Sequence, residues 1–408
     1  MWCELPFSPE TDAEFFAALP AAPAVFMLRP NAAGGEPYVS KTANLRRRLE
    51  RLLAPAEGRR LSLRERAARV EYQQVGGDFE AGFALYQVLR REFPAKYAER
   101  MHLRPAPLLQ LLKENRYPRL AMTSRIRSAR TGVYFGPFAT RAEAEQYGND
   151  SLDFFLLRRC TEELAPDPKF PGCVYSEMKM CLAPCFQGCS DDRYAEEAAR
   201  VEQYLQTAGH SLLVEIGRQR DEASARLEFE AAAAAHARLD KIKAVSTRAA
   251  EIVHRLDLLN GVLLQPSHEA GHIALFRLAG GMLFGPVAFD VSPRPAQPSA
   301  VPETALHPRP APPQAQSMEA RLKATLAAIE VRAPRSAAEW MEHLALVKRW
   351  YYRSSKVGEI FFEDEAGALP MRRVVRAVGR VFKGEKPAAD LSETAGDYWT
   401  FRAREAGL

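Results

Sequence analysis

At 408 residues the chain has room for about two to four domains of ordinary size. Its 47% hydrophobic, 26% charged and 9% aromatic content excludes wholesale disorder and fibrous architectures. The net charge of +5 hides a local excess: between Lys41 and Arg69 ten bases face three acids, a local +7 that leaves the remainder slightly acidic.

In chain order, an apolar helix is predicted around Glu14 to Leu19, then a buried strand at Ala24-Val25-Phe26-Met27-Leu28. Asn31 to Gly35 supplies turn residues, and Pro37-Tyr38-Val39-Ser40 is the returning strand. Asn44 caps a helix whose Leu45, Leu49, Leu52 and Leu53 form one apolar face, with arginines on the others. A third strand near Arg69 to Val75 and a helix from Asp78 to Glu92 complete a small α/β unit over residues 13–100. Arginines concentrated on a helix and its following loop are the electrostatic footprint of a phosphate backbone. DNA contacts are therefore expected from Arg46, Arg47, Arg51, Arg59 and Arg60, a plain solvated face being the alternative.

Residues 101–190 read as a connector that ends in cysteines. Six cysteines are too few for a disulfide scaffold, yet Cys160, Cys173, Cys181, Cys185 and Cys189 cluster. The first four, separated by twelve, seven and three residues, can complete a metal shell. A [4Fe-4S] cluster and structural zinc both fit, and free reduced thiols are the third reading. Cys189 is a spare, and Cys3 is expected as a buried small apolar side chain.

Residues 191–255 are helical, most simply two antiparallel helices over Arg193 to Gln206 and Ser211 to Val245. Residues 256–291 form two or three strands, and the eight prolines in 292–316 mark a linker. The last segment, 317–408, is a smaller α+β module with a strand at Gly358 to Phe362 and a basic helix from Met371. Its tract from His343 to Arg353 mixes bases with aromatics, as nucleic-acid surfaces do, or is a plain amphipathic helix. No run approaches 18 apolar residues, and MWCELPFSPETDAEFF has acids where a secretory signal has bases. A cytoplasmic chain with no membrane partner is expected.

The segments Pro23-Ala24-Val25-Phe26, Pro37-Tyr38-Val39-Ser40-Lys41 and Asn44-Leu45-Arg46-Arg47-Arg48 resemble the GIY-YIG endonuclease unit of the UvrC-like excinuclease family of bacterial nucleotide excision repair. The resemblance implies Tyr38, Lys41 and Arg48 as catalytic groups, with Mg²⁺ bound only where the nuclease site is active. Phe26 stands for the family's first tyrosine and has no hydroxyl to use. Ser40 replaces the signature glycine, and Leu85 stands where a metal-binding glutamate belongs. Glu80 and Glu92 are the nearby carboxylates that could substitute. The implied protein binds DNA with weakened or lost incision. The alternatives are an active single-cut endonuclease and a non-catalytic adaptor.

The wording Cys173-Val174-Tyr175 and Met180-Cys181-Leu182-Ala183-Pro184-Cys185 is similar to the family's cysteine region, which implies an iron-sulfur cluster on Cys160, Cys173, Cys181 and Cys185. Ala225 to Ala232 resembles the UVR motif that joins UvrC to UvrB, implying a UvrB-like partner at Leu227 and Phe229. His236-Ala237 replaces the usual Arg-Asp, and an internal coiled pair is the alternative. The resemblance covers residues 13 to 285. The final hundred residues carry neither an Asp-rich nuclease segment nor a helix-hairpin-helix pair, so dual incision is not expected.

Overall fold

The computed structural model describes residues 2–32, 35–55, 63–127, 132–292 and 317–385. Arg59 and Arg60 lie outside the described residues, as does nearly all of the proline-rich segment.

The first unit runs β1 (Cys3–Pro6), α1 (Asp12–Ala18), β2 (Ala24–Pro30), β3 (Tyr38–Thr42), α2 (Leu45–Leu52), α3 (Leu63–Arg66), β4 (Ala67–Gln74) and α4 (Asp78–Glu92). Its sheet has order β1-β4-β2-β3, with every pairing antiparallel. Side-chain alternation divides β2 between two cores. Ala24, Phe26 and Leu28 pack with Phe15, Leu45, Leu49 and Leu53, while Val25 meets Ala81, Ala84 and Val88 of α4. The helix α2 begins where the Asn44 side chain accepts the Arg47 N–H at 2.9 Å, a standard N-cap. Cys3 is exposed, against expectation: it lies on β1, an edge strand paired only to β4.

The second unit contains α5 (Tyr97–Met101), β5 (Leu108–Leu111), β6 (Leu120–Thr123), β7 (Val133–Gly136), α6 (Arg141–Leu152), α7 (Val174–Glu177), α8 (Asp191–Gln206), α9 (His210–Ala225), α10 (Phe229–Ser246) and β8 (His254–Arg255). The expected connector is instead a folded sheet, order β6-β5-β7-β8. Its strands of two to four residues are too short to print an alternation, and β5 and β7 are buried throughout. Three helices replace the expected two, because the run from Ser211 to Val245 breaks at Leu227, whose φ of 59° is left-handed.

The third unit holds β9 (Gly261–Pro266), β10 (His272–Ala279), β11 (Met282–Asp290), α11 (Met318–Ala327), α12 (Ala337–Tyr351), β12 (Glu359–Phe362) and α13 (Met371–Lys383). The strand β12 pairs antiparallel with β9, so the segments on either side of the prolines share one sheet. The aromatic tract on α12 is core: Trp350 is buried and its indole donates to the Val357 carbonyl at 3.0 Å. The units are joined through α4, where Phe79 and Phe83 meet Phe276 edge-on at 5.1 and 5.7 Å. The class is α/β with a helical region, as expected, and among the described residues no helix is long and apolar enough to cross a membrane.

Candidate nucleic-acid interface and thiol centre

Tyr38 and Arg48 come together: the guanidinium donates to the phenol oxygen at 3.2 Å, and the Phe26 ring lies 6.1 Å from that of Tyr38. Both follow from local structure. Tyr38 shares the α2 face of the sheet with Phe26 and Leu28, and Arg48 is one turn into α2. Lys41 is not part of this group. Three positions along the regular β3 ladder, it takes the opposite parity to Tyr38 and pairs with Asp78 at the start of α4. Asp78 also pairs with Arg353, just beyond α12. Burial alone would raise the Asp78 carboxyl, but the two cations hold it below the usual carboxylate range.

Of the expected DNA-contacting arginines, Arg47 and Arg51 are exposed one helical turn apart on α2. Neither has a carboxylate partner among the described residues. Arg46 is committed elsewhere, donating to the carbonyls of Leu19 at 2.8 Å and Ala17 at 3.1 Å at the end of α1. It anchors α2 rather than presenting a free charge.

Among the described residues of α4, no carboxylate is free to stand in for the one that the resemblance expects at position 85. Leu85 packs beside Val39, in the core under the α4 face of the sheet. Glu80 is buried and accepts the Gly76 N–H at 2.8 Å, and burial pushes its carboxyl above the usual range. Glu92 is bound to Arg29 at 2.6 Å and to Arg91 at 2.9 Å. Burial would raise Glu92, but those two arginines keep it low.

None of the six cysteines is in a disulfide. Burial, followed by the neighbouring Cys173, Cys185 and Cys160, pushes the Cys181 thiol up; burial and then Cys173 and Cys160 do the same to Cys185. The four are thus electrostatic neighbours, whereas Cys189 responds to burial, Asp191 and Arg193. Among the described residues, no three His, Cys, Asp or Glu side chains are gathered as a single metal ion requires. Arg158 supplies a fit test. It is 4% exposed, its Nη1 lies 3.6 Å from the Cys160 sulfur, and its buried Nε has no partner. No carboxylate pairs with it among the described residues, its other side-chain acceptor being the Glu162 carbonyl at 2.9 Å. A buried, unpaired guanidinium costs several kcal/mol, roughly, unless an anion lies beside it. Four thiolates on a metal or cluster carry net negative charge, so the donor set fits such a group. Sequence reasoning missed Arg158, although its place two residues before Cys160 was a readable signal.

At the α9–α10 turn, Leu227 and Phe229 are 70% and 71% exposed, so neither is internal packing. The hairpin holds itself together lower down, through buried Leu212, Ile216, Leu239 and Ile242.

Residues 106–206 match the family described as UvrC/Cho excinuclease, middle domain. The chain is 25% identical over 244 residues to the UvrABC system protein C of Rickettsia bellii, covering 59% of this chain and 38% of that protein. It is 29% identical over 239 residues to the UvrABC system protein C of Agrobacterium fabrum, covering 57% and 34%. The chain is UvrC-like. The matched domain takes in β5 to β7, α6, the five cysteines from Cys160 to Cys189 and α8 of this UvrC-like chain. The chain spans less than two fifths of the length of these two relatives. No solved structure matches it.

Proposed function

We propose that this UvrC-like chain binds DNA in nucleotide excision repair, with little or no strand incision of its own. The observation that carries the reading is the Tyr38–Arg48 pair beside Phe26, with leucine at position 85. Tyr38 and Arg48 retain groups that bind a phosphate. Phosphodiester cleavage also needs a cation to offset charge on the transition state, and this chain has no free carboxylate on α4 to hold one.

Arg47 and Arg51 present charge to the DNA backbone from α2. The exposed Leu227 and Phe229 suit an apolar groove on a UvrB-like helical hairpin. The four thiols take a [4Fe-4S] cluster rather than zinc, because a polyatomic cluster bridges thiols spread more widely than a single tetrahedral ion allows. Within the chain, Arg158 then balances the charge of Cys160 and its three companions.

The test is binding and cutting of a labelled duplex by the purified chain with Mg²⁺. Binding that weakens in Arg47→Ala with Arg51→Ala, without cleavage, supports the reading. Absence of DNA binding overturns it in favour of a pure adaptor, and efficient cleavage overturns it in favour of a working nuclease.

A further inference from the structure

The geometry points to a second DNA-backbone contact on α13, at the opposite end of the chain from α2. This helix holds Arg372, Arg373, Arg376, Arg380 and Lys383 and no acid, a charge equal to the net +5 of the whole protein. At about 100° per residue, these five bases fall within an arc of roughly 100°. The opposite side, Val374, Ala377, Val378 and Val381, is buried against the sheet of the third unit.

That burial decides the class of partner. A basic amphipathic helix that binds a membrane surface does so by inserting its apolar face, and here that face is already spent inside the fold. A protein groove that grips a helix needs the same side chains. Of the helix's large apolar side chains only Phe382, near its end, is exposed, so what the outer face offers is mainly charge, which favours a polyanion.

The bases are not equally available. Arg380 is held by both Glu359 oxygens at 2.8 and 2.7 Å, Lys383 lies 3.7 Å from Glu385, and Arg373 covers the Phe361 ring at 5.6 Å. Arg372 and Arg376 are exposed and have no carboxylate partner among the described residues. They share this with Arg47 and Arg51 of α2, whereas Arg29, Arg90, Arg200, Arg255 and Arg277 each carry a carboxylate partner. The two lie about 6 Å apart along the helix axis, close to two of the ~3.4 Å axial spacings of phosphates on one strand of a duplex. Contacts to phosphates position a protein without reading bases, so the contact is sequence-independent.

The inference rests on the DNA-binding reading, and the experiment separates the two. A 30-base-pair duplex is titrated against the full chain, Arg372→Gln/Arg376→Gln, Arg47→Gln/Arg51→Gln and the fourfold variant, across a range of salt. The α13 variant should bind more weakly and lose up to about 1.8 from the slope of log K against log salt, about 0.9 per phosphate contact. Its melting temperature should match that of the parent, because both side chains are exposed. Unchanged affinity and slope would overturn the inference. Weakening in the α13 variant alone upholds it while sinking the α2 contact; no DNA binding by the parent sinks both. Binding to phosphatidylglycerol vesicles that depends on Arg372 and Arg376, with DNA affinity unchanged, assigns the face to a membrane instead.

Discussion

Arg353 reaches back 275 positions along the sequence to pair with one oxygen of Asp78, while Lys41 holds the other. The lysine that resembles a catalytic group is therefore held by α4, and α4 is in turn fastened to the third unit. Two cations on one carboxylate leave a net positive charge, but while Asp78 is ionised the Lys41 ammonium is held toward α4 and away from Tyr38 and Arg48. Because Asp78 is held below the ordinary aspartate value of 3.8, the contact is complete at neutral pH and is lost only as the pH falls through that lowered value.

Asp78→Asn should release Lys41 and Arg353 together. The expected result is tighter DNA binding with a steeper salt dependence, by up to about 0.9 in slope for each cation that gains a phosphate. Titration of a duplex at several salt concentrations measures both. Equal slopes in parent and variant would show that Lys41 lies out of reach of the backbone.

Gly76 sits where the first unit meets β9, and a Cβ there would overlap the Pro266 carbonyl. The backbone of neither residue has room to give, so Gly76→Ala should destabilise by about 1–3 kcal/mol, the usual range for overpacking. Urea unfolding measures the loss. A variant as stable as the parent would mean that the two segments separate at little cost.

His343 is buried on α12 and its Nδ1 accepts the Leu283 N–H at 3.0 Å. Burial, the largest influence, pulls its pKa down to about 4; Glu339 opposes this, and Arg332 and Arg90 add to it. The unfolded chain, with an ordinary value of 6.5, takes up the proton first on acidification. Stability is therefore complete above pH 6.5 and falls as the pH drops toward about 4, by at most about 3 kcal/mol at 1.36 kcal/mol per unit. His343→Gln keeps an acceptor for Leu283 and should flatten this part of the profile. An equally steep profile in the variant would assign the acid sensitivity to other groups.

The first unit was legible because its signals are local. Asn44 followed by leucines at helical spacing fixes α2, and the turn residues after Leu28 fix the β2–β3 pair, which together bring Tyr38 to Arg48. The sheet of the second unit was not legible. Leu108 to Leu111 is buried on both faces and too short to show a period. The pairing of β12 with β9 bridges the prolines, and no local pattern encodes it. The same holds for Glu339, which is buried between Arg90 and Arg332, the first of these far away in sequence.

The thiol centre makes a chemical prediction. Anaerobically purified protein should be brown, with about four irons per chain. Cys181→Ser should lose the iron, and Cys189→Ser should keep it, since Cys189 stands apart from the four. Arg158→Gln removes positive charge beside Cys160, so the cluster should become harder to reduce, with a lower midpoint potential. Colourless protein carrying one zinc would keep the site and refute the cluster; an unmoved potential would leave Arg158 without its assigned partner.

Incision turns on Leu85 and Phe26. Removing the sole carboxylate ligand of a catalytic cation removes a transition-state interaction of several kcal/mol, roughly, and so several orders of magnitude in rate. The parent chain should therefore cut a labelled duplex little or not at all with Mg²⁺. Leu85 is only partly buried, so Leu85→Glu can be accommodated, and a glutamate reaching from the α4 face round the edge strand β3 to the Tyr38–Arg48 pair should, combined with Phe26→Tyr, restore measurable cutting. The hydroxyl added at Phe26 would enter a fully buried site beside Tyr38, and Leu85→Glu alone controls for the strain this introduces. Cutting by the double variant should vanish on adding Arg48→Ala, because Arg48 is the cation in contact with Tyr38. Robust Mg²⁺-dependent cutting by the parent that Arg48→Ala abolishes would instead establish a working site with a displaced carboxylate, Glu80 being the first to examine.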